Sequence, residues 1–166
     1  MSIIVFSENR SEKIKKSSLE AVAYATNISK NTQQAVVSVS IGNVPNEELE
    51  ILAKYGASKI ISINAPEWQT HDSQAYAKLL NEITEKENAS TIIFTNSNIG
   101  KAVAPRLSVR LKAALVSGIV SIPSSYSPLT LKRKSYNGGA FQNVQVKSPK
   151  AVLTLNPNSC EVVENP

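Results

Sequence analysis

A chain of 166 residues, 42% hydrophobic and 19% charged, has the size and balance of one soluble globular domain with room for a sizeable core. No apolar run approaches the roughly 18 residues of a membrane span, and residues 3–6 are too short for a secretory signal, so an integral membrane protein is excluded and the cytoplasm is the expected location. The net charge of +5 raises nucleic-acid binding, but the basic residues are spread over separate segments and aromatics make up only 5%, so no nucleic-acid partner is expected.

In chain order, residues 2–6 read as a strand, residues 7–11 as a polar turn, and residues 12–30 as a helix. Along that helix Ile14, Ser18, Ala21, Val22, Ala25 and Ile28 form a narrow stripe of mostly small residues, suited to close approach to a sheet. Residues 35–40 make a second strand. Pro45, Glu47 and Glu48 then open a shorter helix through Leu49, Leu52 and Ala53 that stops at Gly56. Residues 58–63 are a third strand, followed by a loop holding Pro66 and Trp68. Residues 73–87 form an amphipathic helix with Tyr76, Leu79, Leu80 and Ile83 on its apolar side.

The stretch from Thr91 to Ser121 reads strand, turn, helix, strand. Ile92, Ile93 and Phe94 suit a strand buried on both faces, and residues 95–98 are a polar cluster able to cap a helix. Val103, Leu107 and Leu111 give that helix its apolar stripe, with Arg106 and Arg110 on a neighbouring face. Pro105 is expected in or near the first turn, with the regular helix starting only a few residues before it, because deeper in a helix its ring costs about 3 kcal/mol. After Ile122 the helices stop. Three strand-like segments follow at 129–136, 141–146 and 151–155, the first two joined as an antiparallel pair by the Asn137-Gly138-Gly139 turn. Lys132 and Lys134 are expected to protect an exposed strand edge.

Strands alternating with helices predict an α/β fold: three layers around a mostly parallel, doubly wound, Rossmann-like sheet, with a C-terminal antiparallel β extension. Such sheets bind ligands beyond the carboxyl ends of their strands, where the winding reverses. With the first and fourth strands as neighbours, residues 7–10 and 95–100 would face each other across that crevice. Ser7, Asn9, Thr95, Asn96, Ser97 and Gly100 could then offer hydroxyls, amides and backbone donors to a phosphate or ribose at a helix N-terminus. The same residue types also cap and turn for structural reasons alone.

No known phosphate motif reinforces the crevice. Gly100-Lys101 is followed by Ala102, Thr95 stands where a P-loop needs its first glycine, and there is no Gly-x-Gly-x-x-Gly. His71 is the lone histidine and reads as a solvated loop residue, so no metal site is expected. Cys160 reads as a bystander thiol. No acid, base and nucleophile can be grouped, so catalytic residues are not expected.

The run from Ser97 through Gly100-Lys101-Ala102-Val103-Ala104-Pro105-Arg106-Leu107, with Arg110-Leu111 and Ala113-Ala114-Leu115-Val116-Ser117, closely resembles the N-terminal domain of the electron-transfer flavoprotein alpha subunit. The resemblance covers nearly the whole chain, taking in Ile3-Ile4-Val5-Phe6 with Glu8, Leu19-Glu20-Ala21, Tyr55-Gly56-Ala57 and Tyr136-Asn137-Gly138-Gly139-Ala140. Two positions depart from it: an acid is expected where Gly118 stands, and an arginine where the last strand has Leu155-Asn156-Pro157. The resemblance implies an adenine nucleotide alpha hydrolase-like fold, with residues 1–166 as a single domain. It also implies an electron-carrier role in which electrons from flavin dehydrogenases pass through FAD, in a heterodimer with a beta subunit that holds AMP. In that family the FAD lies mainly in a separate C-terminal alpha domain, which this chain lacks, so no FAD is expected to bind it tightly. Arg106 and Arg110 are directed toward interface or interdomain contacts. The alternative is a free-standing nucleotide-binding domain similar to universal stress proteins.

Overall fold

The computed structural model describes residues 1–64 and 72–164. Its backbone is one large sheet in the order β10-β9-β7-β11-β6-β1-β4-β5. Six strands run parallel: β1 (Ser2–Phe6), β4 (Ala35–Ile41), β5 (Lys59–Ile63), β6 (Ala89–Thr95), β7 (Ala114–Ile119) and β11 (Ala151–Leu155). The antiparallel extension consists of β9 (Leu129–Ser135), β10 (Ala140–Gln145) and the short β8 (Ser125–Tyr126). A two-stranded hairpin, β2 (Asn9–Arg10) with β3 (Lys13–Ile14), stands apart.

Side chains that alternate along a strand divide the core between two faces. On one face Ile3 and Val5 of β1 meet Ala21, Val22, Ala25 and Ile28 of α1 (Lys16–Thr32), together with Leu49 and Leu52 of α2 (Asn46–Lys54). On the other, Ile4 and Phe6 meet Tyr76 and Leu80 of α3 (Ser73–Lys86) and Val103 and Leu107 of α4 (Asn98–Leu111). Each such fully buried aliphatic side chain stabilises the fold by about 1.5–3 kcal/mol. The small stripe on α1 serves close packing, and Gly56 meets it. A Cβ on Gly56 would lie 2.1 Å from the Thr26 hydroxyl, in a backbone with φ of +116°.

Three local expectations are corrected. The first long helix starts at Lys16 rather than near Glu12, because residues 9–14 form the β2–β3 hairpin, with Ser11 and Glu12 in the left-handed region at its turn. Ile14 therefore packs on the core from the hairpin. Pro105 sits about two turns into α4. The helix tolerates it there because Pro105 and Lys101 are both exposed, so the Lys101 carbonyl that loses its helical donor faces water. The Arg106 guanidinium also donates to the neighbouring Ala102 carbonyl at 2.7 Å. Lys132 and Lys134 do not guard an edge, since β9 lies between β7 and β10 and the outer strand is β10. Residues 151–155, the third strand-like segment, run parallel in the middle of the sheet, between β6 and β7. Pro66, Trp68 and His71 lie outside the described residues.

Candidate functional site

The first and fourth long strands, β1 and β6, are parallel neighbours, with Ile3 beside Thr91 and Val5 beside Ile93. Their carboxyl ends therefore bring residues 7–9 and 95–100 together. At the centre stands Glu8, 2% exposed. Its Oε1 accepts hydrogen bonds from Thr95 Oγ1 at 2.9 Å and from the Ser97 hydroxyl, and its Oε2 accepts from Lys15 Nζ at 3.0 Å. The Glu8 N–H donates to Ser18 Oγ at 2.7 Å, which ties the loop to α1.

The other crevice residues are also committed within the protein. Ser7 is fully buried and shares a 2.5 Å hydrogen bond with Ser38. Asn9 donates to the Ile41 carbonyl at 2.8 Å. Asn96 donates to Asn156 Oδ1 at 2.8 Å and accepts from Thr154 Oγ1 at 3.3 Å. Ser97 caps α4, its hydroxyl accepting from the Gly100 N–H at 3.0 Å. Gly100 is fixed by close approach: a Cβ there would lie 1.9 Å from the Thr95 carbonyl oxygen. The positive end of the α4 dipole thus faces a carboxylate supplied by the chain itself, relayed through Ser97. Glu8 is the residue that reading for phosphate donors passed over. Its signal was an acid two residues past the apolar run Ile3-Ile4-Val5-Phe6, at the carboxyl end where the winding reverses.

Away from the crevice, Glu20 is a second buried acid, whose Oε1 accepts from the Ser159 N–H at 2.6 Å and from its hydroxyl at 3.3 Å, pinning the C-terminal segment to α1. Burial, and then the Glu20 charge, push the neighbouring Cys160 thiol up to about 12, so it stays protonated at neutral pH and is no nucleophile. Burial likewise raises the pKa of Tyr24, whose hydroxyl donates to the Ser121 carbonyl at 2.9 Å. Among the described residues no group of three metal-ligating side chains occurs. Arg106 and Arg110 stand on the outer face of α4 beside Val109, which is 79% exposed.

A mostly parallel, doubly wound sheet covered by helices on both faces makes this a three-layer, Rossmann-like α/β protein. The family model described as the electron transfer flavoprotein domain matches residues 3–166, and the chain belongs to that family. It is 28% identical over 162 residues to the electron transfer flavoprotein subunit alpha of Bacillus subtilis (strain 168), covering 98% of this chain and 49% of that protein. It is 24% identical over 158 residues to the subunit alpha of Syntrophomonas wolfei, covering 95% and 49%. The acryloyl-CoA reductase electron transfer subunit beta of Anaerotignum propionicum is 29% identical over 115 residues, covering 69% of this chain and 31% of its own. The chain spans about half the length of these alpha subunits, matching their N-terminal domain. Among the described residues no helix is long and apolar enough to cross a membrane.

Proposed function

We propose that the chain acts in the cytoplasm as the N-terminal domain of an electron-transfer flavoprotein alpha subunit, scaffolding an alpha/beta heterodimer that carries electrons from flavin dehydrogenases through FAD. The observation that carries this reading is the family match over residues 3–166, together with alpha subunits covered over about half their length. The role is that of an electron-carrier subunit rather than a catalyst.

FAD would supply the redox chemistry in such a complex, but the crevice of this chain does not fit it. A flavin or nucleotide pyrophosphate needs free donors or cations, and here the carboxylate of Glu8 occupies the helix N-terminus while Thr95 and Ser97 are spent on it. The same carboxylate weighs against the free-standing nucleotide-binding alternative. The crevice is better read as a structural node that locks the β1 and β6 loops together, and the cofactor's seat belongs outside residues 1–166.

The outer face of α4 is the surface we assign to the partner, because Val109 is apolar and exposed between Arg106 and Arg110. Co-expression with the cognate beta subunit followed by size-exclusion chromatography tests the role. The wild-type chain should co-elute with beta, and Val109→Asp should abolish co-elution while leaving the circular dichroism spectrum unchanged. Two folded chains that elute apart would overturn the assignment.

A further inference from the structure

A cleft of about 620 Å³ opens at the carboxyl ends of β6, β11 and β7, beside the Glu8 crevice, with which it shares Asn96. Its lining runs from Lys101 and Pro105 of α4 to residues 133–135 of β9 and includes Asn96 and Asn156. Three cations line it: Lys101, Arg133 and Lys134. Among the described residues no acid lines it, and Gly118, at the position where the resemblance leads one to expect an acid, contributes no side chain at all. Neither lysine belongs to an ion pair among the described residues. Arg133 spends Nε on the Ser117 carbonyl at 2.9 Å and one Nη on Gln142 Oε1 at 3.2 Å. Both acceptors are neutral, so its charge is oriented but not cancelled.

Ser135 also lines the cleft. Its Oγ is buried without a hydrogen-bond partner among the described residues, as is Asn81 Oδ1 elsewhere in the fold. A buried polar group left unpaired costs free energy unless a ligand or water completes it. Three like charges converging on one cleft also repel one another, and a multivalent anion is what relieves them.

We propose that this cleft is an oxyanion site that takes the phosphate or pyrophosphate group of a small molecule. A dianion or trianion matches three cations better than a single carboxylate does, and Arg133 supplies the planar donor geometry phosphate oxygens favour. The volume falls in the range of small-molecule clefts, leaving space for the remainder of a phosphorylated metabolite. The site does not depend on the electron-carrier role, so failure of co-elution with a beta subunit leaves it standing.

Isothermal titration of the 166-residue chain with inorganic pyrophosphate at low ionic strength tests it. Saturable one-to-one binding is expected, weakened about tenfold or more by the double variant Lys101→Gln with Lys134→Gln. The control pair, Lys13→Gln with Lys16→Gln, removes the same two charges elsewhere and should leave the affinity within about twofold. All four lysines are exposed, so none of these changes threatens the fold. Absent binding, or equal weakening by both pairs, overturns the site. Glutarate binding more tightly than pyrophosphate overturns the phosphate assignment and makes the cleft a seat for a carboxylate.

Discussion

Glu8 shows how one side chain can settle what a crevice does. A carboxylate 2% exposed is costly to bury, and here two hydroxyls and an ammonium compensate it. Removing it would strand the Thr95 and Ser97 hydroxyls and the Lys15 charge together. We expect Glu8→Ala to cost about 3 kcal/mol of stability in urea unfolding, and Glu8→Gln only about 1 kcal/mol because the amide oxygen can still accept from Thr95 or Ser97. Equal, small effects would show that the network contributes little. The six candidate crevice residues were legible in the sequence because hydroxyls, amides and glycine cluster after two apolar strands. What they are used for was not, since a donor that meets an internal acid and one that meets a phosphate look alike in a string of letters. Only the register of β1 against β6 brings Glu8 to Thr95, 87 positions away.

At the scale of elements, α4 is the piece whose seating is most tightly specified. Its first turn presses on the end of β6, with no room for a Cβ at Gly100. Gly100→Ala should therefore cost about 3 kcal/mol, read as a lowered urea midpoint with an unchanged slope. A neutral outcome would mean that the helix can slide. Element type was readable nearly throughout, because period and turn residues are local signals. The place of one residue and the place of one strand were harder to read. Pro105 was placed in the first turn on the assumption that its lost hydrogen bond is intolerable, whereas the bond is lost on the solvent side of α4. Residues 151–155 were legible as a strand but not their place in the sheet, although Ala-Val-Leu-Thr-Leu is an apolar run of the same kind as Ile92–Ile93–Phe94. All five of its residues are in fact buried.

For the whole molecule, the separation of scaffold from cofactor gives a plain expectation. The chain alone should purify colourless, and an FAD titration followed by absorbance, with free ligand removed by gel filtration, should leave at most weak binding. The basic cleft does not alter this, since among the described residues no aromatic ring lines it to stack on an isoalloxazine. A yellow one-to-one complex would sink the division of labour proposed above. The placement of β11 has a consequence for how such a protein comes into being. It is the last of the described strands in chain order, yet it occupies the track between β6 and β7. Until it arrives, a nascent chain presents two raw edges of unpaired N–H and C=O groups across the middle of its own sheet, the configuration most open to joining a stranger's strand. Synthesis follows chain order while this sheet is closed from its middle, so the danger for this fold lies in the interval before translation delivers the strand that closes it.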